Sequence, residues 1–151
     1  MTDREEALKL DNQLCFATYS AARAIIRAYK PLLKMLGGIT YTQYITLLVL
    51  WEEDNITVKH LGERLILDSG TLTPLLKKME KEDIIKRIRD KNDERKIYIK
   101  LTKKGHDLKR IALEVPDRMF CKLPVTMDEL TKLREILKRV YLKTEMDWFN
   151  I

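Results

Sequence analysis

Between residues 84 and 101 the apolar side chains change from helical spacing to strict alternation, and this change constrains the fold of the 151-residue chain more than any other feature. Ile84, Lys86 and Ile88 alternate with Ile85, Arg87 and Arg89. After the turn formers Asp90-Lys91-Asn92-Asp93-Glu94, a second run sets Ile97, Ile99 and Leu101 against Lys96, Tyr98 and Lys100. Alternation sends successive side chains to opposite faces of a strand. Two such runs joined by turn residues make a β-hairpin, here with a charged tip.

The remaining periodic segments are helical. Leu14, Ala21, Ala22, Ile25, Ile26, Tyr29, Leu32 and Leu33 predict a long helix over 7–36, kinked or broken at Pro31 and ended by Gly37-Gly38. Thr40-Tyr41-Thr42-Gln43 is a capping box that opens a helix through Tyr44, Leu47, Leu48 and Trp51. Thr57 caps a short helix over 58–65. A tight connection leads to a fourth helix starting between Ser69 and Thr71 and running to about Glu82, with Pro74 favouring the later start. Thr102 caps a helix carrying Leu108, Ile111 and Ala112, interrupted before Pro116, and 116–124 reads as an irregular connection. Thr126-Met127-Asp128-Glu129 opens a final helix with Leu130, Leu133, Leu137, Val140, Tyr141 and Trp148 along one stripe.

This order predicts a mainly α fold with a small β-hairpin: one winged-helix domain over 1–151, with the winged helix-turn-helix at 39–102. The flanking segments, 1–38 and 103–151, carry apolar stripes with few partners in so short a chain. They are expected to pair across a two-fold axis, making a homodimer.

Composition narrows the function. Residues are 45% hydrophobic and 34% charged, which suits a core and excludes a disordered chain. The longest apolar run, 44–51, is far too short to span a bilayer, and the charged opening Met1-Thr2-Asp3-Arg4-Glu5-Glu6 lacks a signal-peptide core, so a cytoplasmic protein with no membrane role is expected. His60 and His106 stand apart with no cysteine nearby, so neither a metal site nor a cofactor is expected. The net charge of +6 is localised: 14 basic and 7 acidic residues lie between Thr71 and Arg110, leaving 15 basic and 16 acidic elsewhere. A basic block on a helix-turn-helix points to double-stranded DNA.

The reading helix would enter the major groove. Ser69, Thr71 and Thr73 offer short hydroxyls to base edges or phosphates, and Lys77, Lys78 and Lys81 offer phosphate partners. Arg95 at the hairpin tip, with Arg87 and Arg89 on the strand before it, suits the narrow minor groove. Asp93 would orient Arg95 through a carboxylate pair. A capped surface helix with solvated lysines is the competing reading of this segment taken alone.

Leu67-Asp68-Ser69-Gly70-Thr71-Leu72-Thr73-Pro74-Leu75-Leu76-Lys77-Lys78, with Asp93-Glu94-Arg95 and Ile97-Tyr98-Ile99-Lys100-Leu101-Thr102, closely resembles the MarR family of bacterial regulators. The resemblance implies a homodimer on a pseudo-palindromic operator. Leu10-Asp11-Asn12-Gln13-Leu14-Cys15-Phe16 resembles the amino end of its organic-hydroperoxide-resistance repressors (OhrR). There the cysteine matching Cys15 senses the oxidant, and tyrosines matching Tyr19 and Tyr29 hydrogen-bond to it. Tyr19 is one turn along from Cys15, whereas Tyr29 is about 21 Å along a straight helix, within reach only from a two-fold-related copy. Phenolic donors favour thiolate, which a hydroperoxide oxidises to sulfenic acid.

Val115-Pro116-Asp117-Arg118-Met119-Phe120-Cys121 resembles the two-cysteine members, in which the second cysteine closes an intersubunit disulfide. Buried, inert thiols remain the alternative for both cysteines, with a small phenolic or lipophilic ligand as the signal instead. A cysteine peroxidase would need an arginine to polarise the peroxide, such as Arg23 or Arg27, but no machinery for re-reduction is visible. The chain therefore reads as a regulator rather than an enzyme, with organic hydroperoxide as its signal.

Overall fold

The computed structural model of the chain describes residues 3–148, with side-chain surroundings from Arg4 to Leu142, so the expected place of Trp148 on an apolar stripe lies outside the described residues. The elements are α1 (Asp3–Glu6), α2 (Leu14–Leu33), α3 (Tyr41–Glu52), β1 (Ile56–Thr57), α4 (Val58–Leu65), α5 (Ser69–Lys81), β2 (Ile85–Arg89), β3 (Ile97–Leu101), α6 (Lys103–Ala112), α7 (Val115–Phe120) and α8 (Met127–Trp148). Short 3₁₀ turns occupy Leu10–Asn12 and Lys34–Leu36. Contacts divide the chain into two units, one reaching to Met119 and one starting at Phe120. Among the described residues no helix is long and apolar enough to cross a membrane.

In the first unit, α4 and α5 pack against a three-stranded antiparallel sheet of order β1-β3-β2, and α3 packs on α4 and α5. Mainly helical, with one small sheet beside a helix-turn-helix, this is the winged-helix architecture that the change of period predicts. Ile85 pairs with Leu101, Arg87 with Ile99 and Arg89 with Ile97. These residues share a face, on which Ile85, Ile99 and Leu101 are buried, while Ile88 on the opposite face is 44% exposed. Leu47, Leu61 and Met79, one from each of the three helices, are fully buried. At roughly 2 kcal/mol for each large apolar side chain removed from water, such residues hold the sheet on the helices.

Caps set the helix starts. Thr40 and Gln43 close the expected capping box on α3, Thr57 accepts the His60 N–H, and Thr102 accepts the Gly105 N–H. Gly37, at φ 83°, turns the chain out of the 3₁₀ turn after α2. In the second unit Thr126 and Glu129 cap α8 reciprocally, and Leu133, Ile136, Leu137, Val140 and Tyr141 are exposed along that helix.

The structure departs from the sequence reading at three places, and at a fourth, the start of α5, it takes the earlier end of the expected range. The first long helix begins at Leu14, not near Ala7, because the Asn12 and Gln13 side chains donate to the Glu6 and Ala7 carbonyls and compete with the helical ladder. Pro31 lies in the last turn of α2 without ending it; the helix runs on to Leu33 before tightening to 3₁₀. α5 starts at Ser69 despite Pro74, because the Asp68 carboxylate takes the Thr71 N–H at 2.9 Å. The stretch after Val115 is helical to Phe120, with Pro116 in its first turn where a missing N–H costs nothing, so the irregular connection is shorter than expected. The sequence also gave no sign of β1, since two residues are too few for an alternation.

Candidate nucleic-acid interface and thiol site

α5 presents its first turn and its lysines to solvent. Thr71 N–H and hydroxyl both bond Asp68, at 2.9 and 3.1 Å, and hold its carboxyl below the usual aspartate range. Thr73 Oγ1 donates to the Ser69 carbonyl at 2.8 Å. Both hydroxyls keep acceptor lone pairs, so the exposed edge of Ser69, Thr71 and Thr73 remains competent to meet a donor. Lys77 and Lys81, one turn apart, have no ion pair among the described residues, and Lys78 stands 3.9 Å from Glu82. The exposed lysines therefore form a cationic strip continuing from the capped end.

The hairpin tip is knit by carboxylates. Asp90 Oδ1 accepts the backbone N–H groups of Asn92 and Asp93 at 2.7 and 2.9 Å, which lower the Asp90 carboxyl from its ordinary value. Asp93 Oδ1 accepts from both the backbone N–H and Nε of Arg95 at 3.2 Å, the orienting contact expected from the sequence. Arg95 is 92% exposed, so it projects a guanidinium aimed by Asp93. Arg89 is exposed and unpaired among the described residues.

Arg87 differs from its neighbours. Its Nε donates to Glu80 Oε2 at 2.8 Å, its backbone N–H donates to Glu80 Oε1 at 3.1 Å, Nη2 completes an ion pair 2.7 Å from Oε2, and the side chain is only 29% exposed. These bonds hold the Glu80 carboxyl below the usual glutamate range. Arg87, read from the sequence as a free cation, is engaged inside the fold. Sequence reasoning missed Glu80 because helix and strand meet only through the turn at Asp83, a non-glycine residue at φ 57°. It also missed Gln43, which is buried at 1% exposure and reaches across from α3 to Glu82 at 2.7 Å.

Cys15 and Cys121 are free and exposed, so within one chain neither is the buried thiol of the alternative reading. Cys15 is the second residue of α2, and Cys121 follows the end of α7. Tyr19, one turn beyond Cys15, is 55% exposed; its hydroxyl accepts from Arg23, whose guanidinium lies 5.3 Å from the ring centroid. Tyr29 instead packs on α3, with ring centroids 5.1 Å from Tyr41 and 5.6 Å from Tyr44. Burial, then the neighbouring phenols, pushes Tyr44 up to about 12 and raises Tyr29. Among the described residues no hydrogen bond links Tyr19 or Tyr29 to Cys15 within one chain, as the 14-residue separation requires for Tyr29.

Comparison with known proteins sets this geometry in context. The family model described as transcriptional regulator SarA/Rot matches residues 27–111. The organic hydroperoxide resistance transcriptional regulator of Bacillus subtilis (strain 168) is 44% identical over 137 residues, covering 91% of this chain and 92% of that protein. Among solved structures, reduced AbfR bound to DNA superposes with a TM-score of 0.81 at 34% identity, covering 95% of this chain and 97% of that one. A disulfide-formed AbfR gives 0.63 at 37% identity, covering 91% and 96%; AbfR is a protein of Staphylococcus epidermidis.

Proposed function

Because the chain belongs to the MarR-like SarA/Rot family and is a DNA-binding transcriptional regulator of the MarR/OhrR type, we propose that it is a homodimeric, redox-sensing repressor that leaves its operator when Cys15 is oxidised by an organic hydroperoxide. The observation that carries this reading is Cys15 itself: a free, exposed thiol at the start of α2, with a phenol one turn away, in a chain 44% identical to an organic hydroperoxide resistance regulator. The disulfide-formed and DNA-bound states of AbfR support the same class of switch.

The chemistry is a two-electron oxidation. The Cys15 thiolate attacks one peroxide oxygen, the O–O bond breaks, and the alkoxide takes a proton to leave as the alcohol. Cys15 is left as a sulfenic acid. The Cys121 thiolate of the second subunit then attacks that sulfur, expelling hydroxide, which becomes water, and closing a disulfide. The exposed apolar stripe of α8 and the apolar side of α2 pair across the two-fold axis. In the reduced dimer two copies of α5 lie about 34 Å apart, one turn of B-DNA. Ser69, Thr71 and Thr73 face base edges, Lys77, Lys78 and Lys81 face phosphates, and Arg89 with the Asp93-aimed Arg95 enters the minor groove.

The test is Cys15→Ser. The variant should bind DNA as tightly as the parent and stay bound in hydroperoxide that releases the parent. Release of the variant by oxidant removes Cys15 as the sensor; release by a small phenol instead identifies a ligand-gated regulator.

A further inference from the structure

Among the basic residues of the reading head, Arg87 alone spends its guanidinium on a carboxylate of the recognition helix. Glu80 sits in the last turn of α5, and Arg87 is the central residue of β2, paired with Ile99. The two are joined by two hydrogen bonds to one carboxylate, from the backbone N–H at 3.1 Å and Nε at 2.8 Å, and by an ion-pair contact of Nη2 at 2.7 Å. A two-point guanidinium contact plus a main-chain contact fixes direction as well as distance. The only covalent route between the elements is the short turn at Glu82 and Asp83. The bond from Glu80 therefore fixes how β2, and the tip it leads to, is inclined to α5.

We propose that Glu80 and Arg87 are positioning residues that set the angle between recognition helix and wing, so that major-groove and minor-groove contacts are made together, and that Arg87 is not itself a phosphate ligand. The inference rests on the reading that the wing enters the minor groove. It makes a prediction opposite in sign to simple electrostatics. Glu80 is an anion close to Lys77 and Lys81 on the same helix, so neutralising it should tighten DNA binding if charge were all that mattered. If it is a positioning residue, neutralising it weakens binding.

The experiment compares Glu80→Gln, Arg87→Gln and the double variant with the parent, as reduced full-length protein, on a duplex selected by the parent from a random library. Glu80→Gln keeps the shape and an acceptor for the Arg87 N–H, so it is the variant expected to keep the parent's circular dichroism and melting temperature. Both single variants should bind about tenfold more weakly, with the parent's salt slope, and the double variant should be no weaker than either, as for partners in one contact. Hydroxyl-radical protection of the minor groove under the wing should be lost, while guanine N7 protection under α5 remains. Tighter binding by Glu80→Gln, or a salt slope reduced by about one in Arg87→Gln, overturns the proposal and makes Arg87 a phosphate contact. Arg95→Ala is the control. If it leaves minor-groove protection intact, the wing reading itself has failed; if it removes protection that Glu80→Gln retains, only the positioning role has.

Discussion

Replacing Gly62 with alanine sets helix propensity against the closeness of two helices. Alanine is favoured over glycine inside a helix by about 1 kcal/mol, and Gly62 lies in the interior of α4. An added Cβ would stand 2.9 Å from the Leu67 carbonyl oxygen and 2.9 Å from Leu72 Cδ1. Neither neighbour yields easily. The Leu67 N–H is tied back to the Gly62 carbonyl at 3.0 Å, in a turn where Ile66 already holds φ 58°. Leu72 is 2% exposed on the buried side of α5. Forcing one methyl into a packed contact costs about 1–3 kcal/mol, more than the propensity gain across most of that range. The expected net loss is up to about 2 kcal/mol, or up to roughly 8 °C in melting temperature for a chain of this length. Thermal and denaturant unfolding followed by circular dichroism read this directly. DNA affinity should fall too, because the strain is relieved by moving α5. A Gly62→Ala protein that melts above the parent would show propensity winning, and would refute so close an approach of the two helices.

Arg95→Ala should weaken binding and flatten the dependence of log K on log salt by about one phosphate contact, measured by fluorescence anisotropy over a salt series; an unchanged slope argues against a DNA-facing Arg95. Cys121→Ser should abolish the hydroperoxide-induced crosslinked dimer on non-reducing gels while Cys15 still becomes sulfenic acid by mass spectrometry; a persisting dimer band removes Cys121 as the resolving residue. The buried phenols give a pH test. Folding raises the pKa values of Tyr29 and Tyr41, and takes Tyr44 from 10.0 to about 12, so their stabilisation is fully present below pH 10 and lost as pH climbs toward 12. Ultraviolet titration should show these three of the six tyrosines ionising late, and Tyr29→Phe should bring Tyr44 down toward its ordinary value.

Features held within one or two turns of chain were readable from residue order. The boxes at Thr40 and Thr126, the Thr57 and Thr102 caps and the charged hairpin tip are local, and each formed as its residues require. The Asp93 contact to Arg95, two residues away, was legible for the same reason. What escaped depends on partners distant in sequence. Arg87 and Arg89 look alike in an alternating strand, and only the turn at Asp83 gives one of them Glu80 as partner and leaves the other free. Gln43 reads as the third residue of a capping box, yet its other amide end closes on Glu82, 39 residues away. Pro74 misled because proline was weighed without the carboxylate of Asp68, whose bond to Thr71 opens the helix earlier. The tilted ring contacts of Tyr29 with Tyr41 and Tyr44 need the α2–α3 packing that no single helix displays.

The anchors of α5 suggest how a change near α2 would reach DNA. At its far end Glu82 takes the Gln43 amide at 2.7 Å and gives its carbonyl to Lys104 at 2.7 Å, while the Thr102 hydroxyl donates to Asp83 at 2.6 Å. Gln43 lies on the turn of α3 that carries Tyr41 and Tyr44, and the ring of Tyr29 of α2 packs at a tilt against both. One layer of side chains thus separates α2 from the pivot of α5. α5 has 13 residues. At the helical rise it is about 20 Å long, so a tilt of about 5° at the pivot moves the Ser69 end by roughly 1.7 Å. That displacement exceeds the tolerance of a hydrogen bond to a base edge. A tenfold change in occupancy needs only about 1.4 kcal/mol, within the roughly 1–3 kcal/mol that one good bidentate base contact supplies. In the proposed homodimeric redox switch, oxidation therefore need not unfold the reading head; a small tilt, doubled by symmetry, suffices.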